Sequence, residues 1–139
     1  MYAIVRLRGS IKTAPKVRKT FEMLNLTRAN HASVWKEEPS ILNMLKKVEG
    51  YVTFGKISDD ALAEMLEKRG RFEEGSDAKK ALAALKEGKS AKEAGVKNCF
   101  RLSPPKKGYE RGGIKKPYTL GGALGDRGEA INDLIRKML

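Results

Sequence analysis

His31 and Cys99 are the only histidine and the only cysteine in this chain. With one of each, neither an intrachain disulfide nor a zinc site of the usual four-ligand kind can be built. Nothing in the sequence places a serine or cysteine nucleophile in reach of His31, and no second histidine exists to share a metal, so His31 is expected to be a polar residue at a strand edge, touching phosphate. Cys99 is expected to be a buried, inert thiol. The triplet Gly88-Lys89-Ser90 matches the end of a phosphate-binding loop, but Ala83 stands where that loop needs its first glycine. A helix end followed by a new helix cap explains all three residues. The carboxylates of the middle section alternate with Lys and Arg at helical spacing, as solvated faces with i,i+4 pairs do, and no acid/base pair emerges. No catalytic residue, metal or cofactor is expected.

Cations carry the remaining chemistry. The chain has 29 Lys and Arg against 17 Asp and Glu, a net charge of +12. Residues 1–57 hold eleven basic and four acidic groups, residues 58–98 nine and nine, and residues 99–139 nine and four. A surplus segregated to both ends points to one anionic partner faced by both. Between Arg101 and Gly128 lie seven basic residues, two acids, seven of the fourteen glycines and three of the five prolines. Glycine lets backbone N–H groups approach phosphates, proline lowers the entropy lost on ordering, and Lys and Arg release counterions from a polyanion. This stretch, SPPKKGYERGGIKKPYTLGGALGDRG, is expected to fold against RNA rather than against the protein's own core. Its GGALGDRG end has the G-x-x-G spacing of some nucleic-acid clamps, a match too short to count alone.

The elements that must position these cations follow from periodicity. YAIVRLR alternates, with Ala3, Val5 and Leu7 inward and Arg6 and Arg8 on an opposite, basic face. TAPKVRKTFEMLN predicts a helix with Thr13 as cap, Pro15 in the first turn, Val17, Phe21 and Leu24 inward and Asn25 at its end. Lys12, Lys16, Arg18 and Lys19 crowd its N-terminal end, where the helix dipole disfavours cations and favours an anionic ligand. HASVWKE and GYVTFG predict strands, and EPSILNMLKKV a helix between them with Ile41, Leu42, Leu45 and Val48 inward. Trp35 and Phe54 are expected in the core rather than as stacking platforms. The order is β-α-β-α-β over residues 1–57, an α+β, ferredoxin-like split βαβ core whose helices cover one sheet face and leave the other to a partner.

SDDALAEMLEKRG and SDAKKALAALKEG, each opened by a serine, make residues 58–98 a helical insert. Residues 99–139 form the basic arm, after one more strand in VKNCFRL, and close with a helix. That helix has Asp126 and Glu129 as a D-x-x-E capping box and Ile131, Leu134, Ile135 and Met138 as its apolar side. The first residues, MYAIVRLRG, lack the charged leader, apolar block and cleavage site of a secretion signal, and no apolar run approaches a membrane span. A soluble, cytoplasmic protein is expected.

YAIVRLRG, LNLTRANHASV and EPSILNMLKKVEGYVTFGKI together resemble the large-subunit ribosomal protein family called L-thirty in bacteria and archaea and L-seven in eukaryotes. The later blocks LEKRGR, FRLSPPKKG, GGALGDRG and INDLIRKML resemble the extension of its archaeal members. Against that pattern the insert between Arg71 and Cys99 is short, and Asp126 stands where an aromatic is expected. The resemblance implies a non-enzymatic, ferredoxin-like protein of the large subunit bound to 23S-type rRNA, with 5S rRNA and neighbouring large-subunit proteins as further partners. Carried onto this chain, the RNA-facing residues are Arg6, Arg8, Lys12, Lys16, Arg18, Lys19, Arg28, Asn30 and His31 in the first segment. In the arm they are Arg101, Lys106, Lys107, Arg111, Lys115, Lys116 and Arg127. Two other classes remain: a free RNA-binding regulatory module, and a small acylphosphatase-like enzyme. The enzyme would need a glycine-rich phosphate cradle between first strand and first helix, which GSIKTAPKV does not supply.

Overall fold

The computed structural model describes all residues, 1–139. It is a mixed α+β fold with five strands and five helices: β1 (Tyr2–Arg6), α1 (Pro15–Met23), β2 (His31–Trp35), α2 (Pro39–Val48), β3 (Val52–Lys56), α3 (Asp59–Arg69), α4 (Ala78–Lys86), β4 (Phe100–Arg101), β5 (Gly125–Asp126) and α5 (Ile131–Met138). Short 3₁₀ turns at Tyr118–Leu120 and Gly128–Ala130 flank β5. No helix is long and apolar enough to cross a membrane.

The strands form one sheet in the order β4-β2-β1-β3-β5. β1 is antiparallel to both neighbours, with Ala3 opposite Val34 on β2 and Ile4 opposite Phe54 on β3. β2 and β3 therefore run parallel to each other on either side of β1. The outer strands are two-residue pieces: β4 pairs antiparallel with β2 at His31 and Ala32, and β5 parallel with β3 at Thr53 and Phe54.

Both faces of the sheet are covered. Ala3, Val5 and Leu7 of the first strand segment join Ala32 and Val34 in a cluster with Leu62, Met65 and Leu66 of α3, Leu85 of α4 and Ile131, Leu134 and Ile135 of α5. Ile4 points the other way, into a smaller cluster with Phe21, Leu24, Ile41, Leu45, Val48 and Val52 under α1 and α2. The expectation of one face left to a partner is thus overturned. Arg6 made the second face of β1 look polar, yet Arg6 and Ile4 are both buried beneath α1, and α3, α4 and α5 close the first face. Segments 1–57, 58–98 and 99–139 all contribute to the larger cluster.

Local signals act with some exceptions. Ser58 caps α3 by accepting from the Ala61 N–H at 3.3 Å, two aspartates occupy its first turn, and Lys68 and Arg69 its last. Gly88, at φ 87°, ends α4, and Ser90 with Glu93 forms a reciprocal cap (3.0 and 3.4 Å), so Gly88-Lys89-Ser90 is a helix end and a new cap. The turns after Ser90 do not continue into an α-helix. Thr13 does not cap α1: Ala14 holds that position, and the Thr13 hydroxyl is buried without a partner. Ser76 does not cap α4 either, since Asp77 stands at the N-cap without a side-chain bond. Asp126 accepts from the Gly128 N–H at 2.8 Å, bending the chain into a 3₁₀ turn, so the D-x-x-E box is not formed and α5 starts only at Ile131. Cys99 is half-buried rather than buried.

Candidate nucleic-acid interface

One end of the sheet collects segments far apart in sequence. Where β1 leaves the sheet, the Arg6 carbonyl accepts from the Asn30 N–H at 2.7 Å and the Leu7 N–H donates to the Tyr51 carbonyl at 2.9 Å. The Leu102 N–H donates to the Asn30 carbonyl at 3.2 Å, and the Tyr109 hydroxyl to Asn30 Oδ1 at 2.6 Å. The loop after β1, the Thr27–Asn30 turn, the Glu49–Tyr51 turn and the start of the arm therefore meet. Asn30 is their junction, in the left-handed conformation (φ 64°) that asparagine tolerates. Its side chain is occupied by Tyr109, which makes it an organiser of this end.

Two nominated cations do not face solvent. Arg6 is 2% exposed: its guanidinium lies 3.9 Å from the Phe21 ring centroid and donates to the Leu26 carbonyl (2.8 Å), the Arg8 carbonyl (2.8 Å) and Ser10 Oγ (2.7 Å). Arg127 is 6% exposed: it donates to Thr53 Oγ1 (2.9 Å) and the Ala123 carbonyl (3.3 Å), pairs with Glu110 (3.5 Å), and sits 4.9 Å from the Tyr118 centroid. Burial pushes both pKa values down, and Glu110 opposes this at Arg127. Their donors are engaged inside the chain, so neither is an exposed phosphate ligand. Each fastens a basic segment, Arg6 the β1–α1 loop through Ser10 and Arg127 the arm through Ala123 and Glu110.

The other twelve nominated Lys and Arg side chains are exposed or half-exposed, and none forms an ion pair. Arg8 and Arg18 stand round the β1–α1 loop, donating to the Gly50 and Ser10 carbonyls at 3.3 Å each, and Arg8 lies 5.3 Å from the Tyr51 centroid. Lys12 lies in the same loop and Lys16 and Lys19 on the solvent side of α1, whose first turn has no acid and no side-chain cap. Lys12 (φ 57°) and Lys107 (φ 66°) hold the left-handed conformation, which costs a side-chain-bearing residue about 1–2 kcal/mol. Lys106 is seated against the end of α5 by its N–H to the Lys137 carbonyl (3.1 Å). Arg111, Lys115 and Lys116 ride on a separate loop closed by Gly112 N–H to Gly121 O (2.9 Å) and Ala123 N–H to Gly113 O (3.0 Å).

The arm is not purely outward. Leu102, Ala123 and Leu124 are buried in the larger core cluster, with Tyr109 and Ile114 packed on it. That corrects the expectation of a segment folded only against RNA: its glycines and prolines build a hydrogen-bonded loop whose few apolar side chains turn inward.

His31 is half-buried with Nδ1 3.1 Å from Thr27 Oγ1 and 3.5 Å from Cys99 Sγ, so a cysteine does lie beside it, across 68 positions of sequence. Its pKa is lowered, first by burial and then by Arg101, Arg28, Arg71 and Arg6. No carboxylate orients the imidazole, the third part a nucleophile and base pair requires. Arg71 belongs to this cationic group, and its Nη2 donates to the Cys99 carbonyl at 3.1 Å. Sequence reasoning placed Arg71 in a neutral insert and missed it, as it missed Tyr51 and Tyr109. Only the basic run Lys68-Arg69-Gly70-Arg71 after α3 could have signalled it. Trp35 and Phe54 are half-buried against the smaller cluster.

Comparison with known proteins shows the family. Residues 2–52 match the family model described as Ribosomal protein L30p/L7e. A large ribosomal subunit protein uL30 of Nanoarchaeum equitans is 42% identical, with 100% of this chain and 99% of that protein aligned. Those of Methanocella arvoryzae (40%; 99% and 99%) and Methanopyrus kandleri (41%; 96% and 100%) are similar over the same extent. With 42% identity over an alignment that takes in all of this chain, well beyond residues 2–52, the chain belongs to the uL30 family of large ribosomal subunit proteins.

Proposed function

We propose that the chain is a structural, non-catalytic constituent of the large ribosomal subunit in the cytoplasm, holding 23S-type rRNA against the basic end of its sheet. Residues 1–57 form a ferredoxin-like core in which β2, α2 and β3 make a split βαβ unit around β1. Residues 58–98 complete the core, and residues 99–139 supply the arm. The RNA-facing groups are Arg8, Lys12, Lys16, Arg18, Lys19, Arg28, His31 and Arg101 with Lys106, Lys107, Arg111, Lys115 and Lys116, joined by Arg71. The 5S rRNA and neighbouring subunit proteins are further partners.

The observation that carries this reading is the lack of carboxylate partners for these cations, which border the end where four distant segments are fastened together or ride on the arm that continues from it. Unpaired cations on a rigid frame attract phosphate and gain from counterion release. Filter binding to a large-subunit rRNA fragment across 50–200 mM salt, as about the range over which such contacts respond, tests it. Replacing Lys12, Lys16 and Lys19 together by Gln should lower the slope of log affinity on log salt by about 2–3, roughly one per phosphate contact. Salt-independent affinity, or an unchanged slope in the triple variant, would sink the assignment.

A further inference from the structure

A groove of about 560 Å³ opens at the other end of β2, between Trp35, the start of α2 and the Lys89–Lys92 segment after α4. It lies about 13 Å along the strand from His31, the rise of four residues, and so is separate from the basic end described above. We propose that this groove receives a single unpaired RNA nucleotide, its base stacked on Trp35 and its phosphates on Lys36 and Lys92. The proposal takes RNA as the partner, as above, but puts it at a second site.

Size, charge and chemistry agree on this occupant. The volume falls in the ~300–1,000 Å³ range of small-ligand sites. Met23, Trp35 and Met44 supply polarisable apolar walls, and Met23 is 57% exposed. The Trp35 indole N–H already donates to Ser33 Oγ at 2.9 Å, so its polar edge is satisfied, and the half-exposed ring lines the groove. Flat π-faces of unpaired bases stack on such rings without regard to sequence. Three lysines line the groove against one acid, Glu38. Lys89 is paired with Glu87 at 3.3 Å, whereas Lys36 and Lys92 have no carboxylate partner and remain for phosphate.

The edge of β2 argues against an extended peptide. Asn98 accepts from the Val34 N–H at 2.8 Å and donates to the Val34 carbonyl at 2.9 Å, so the backbone groups that an added strand would pair with are filled by a side chain. Recognition here must use faces and charges.

Trp35 is the only tryptophan, so its emission reports on the groove alone. The intact protein is titrated with single-stranded hexa-adenylate and hexa-uridylate, with duplex RNA, and with an acidic, leucine-rich peptide. Quenching by the single strands but not the duplex is expected, and Lys36→Gln with Lys92→Gln, the first half-buried and the second exposed, should weaken single-strand binding about tenfold or more. Trp35→Leu, followed by filter binding, should weaken it at least as much. Unchanged emission with single strands, unchanged affinity in the double lysine variant, or preference for the peptide would each overturn the proposal. The Lys12, Lys16 and Lys19 triple variant should retain the quenching. If instead it alone loses rRNA-fragment affinity while the groove variants bind that fragment and the hexamers normally, the groove fails and the basic end stands.

Discussion

The β1–α1 loop and the Pro/Gly-rich arm are both basic, and each is fastened to the sheet by one buried arginine beneath an aromatic ring, but the two fastenings differ in charge. Arg6 gives its donors to neutral acceptors, two carbonyls and a hydroxyl, and has no counterion. Arg127 has Glu110, a half-exposed carboxylate, beside its neutral acceptors. The loop is thus held with its charge uncompensated, and the arm with its charge balanced from within. A count of cations along the sequence treats both arginines as surface groups, whereas each is the reason that its neighbours stand where they do.

The largest expected effect breaks the first fastening. Arg6→Met keeps volume against Phe21 but leaves the buried Leu26 carbonyl without its donor, and should cost about 3–4 kcal/mol, the scale of losing several charged hydrogen bonds. Arg127→Met should cost less, about 1–3 kcal/mol, because the stranded Glu110 can be solvated. Denaturant midpoints of the two variants measure this directly. Equal losses, or a greater loss at Arg127, would show that the internal counterion matters more than the neutral acceptors.

Glycine packing offers a second contrast, smaller in effect. A methyl group at Gly122 in the arm would run into the Lys116 carbonyl and its neighbouring backbone, while one at Gly9 in the β1–α1 loop meets nothing within 4 Å. Gly122→Ala should therefore open the arm, at a cost of about 1–3 kcal/mol by forcing backbone apart. Amide exchange should accelerate at Ala123 and Leu124, whose N–H groups donate to Gly113 O and Lys116 O at 3.0 and 3.1 Å. Gly9→Ala should lie between neutral and about 1 kcal/mol stabilising. Unaltered exchange in Gly122→Ala would mean that the arm is held from outside this loop, through Arg127 and the apolar side chains that it buries.

Much of the frame was legible because its signals are local. Most inward residues of α1, α2 and α5 follow from helical spacing, with Val17 and Leu42 only half-buried, and the alternation of Ala3, Val5 and Leu7 marks one face of β1 correctly. The covered second face was not legible, because an arginine in an alternating strand reads as solvent-facing and only tertiary packing brings Phe21 over it. Ile4, its neighbour on that face, was the missed clue. The burial of Ala123 and Leu124 has no periodicity to reveal it, since their loop is shaped by backbone bonds between glycines. The cationic group round His31 is half legible: the sequence points to Arg28 and Arg101, but Arg71 arrives from beyond the end of α3 and Cys99 from the residue before the neighbouring strand β4. Such encounters are set by the pairing of β2 with β4, a two-residue strand with little pattern of its own.

His31 gives the smallest and most local test of the comparison, since it lies where the loop segment and the start of the arm meet. Its folded pKa lies below the ordinary 6.5, first through burial and then through Arg101, Arg28, Arg71 and Arg6. The unfolded chain therefore binds the proton more tightly than the folded one. Stability from this group is fully present above the unfolded value and is lost as pH falls from about 6.5 through the depressed folded pKa. An anion bound among the same arginines reverses the sign, for phosphate charge offsets their repulsion of the imidazolium and raises the pKa. Because the chain has one histidine, its ring C–H resonances can be followed in proton NMR through a pH titration without assignment ambiguity. The free protein should titrate below 6.5 and the complex with an rRNA fragment higher, so that binding takes up a fraction of a proton near pH 6. An unmoved pKa in the complex would place the RNA away from the Arg28, Arg71 and Arg101 group, leaving the β1–α1 loop as the side of the interface that carries the contact.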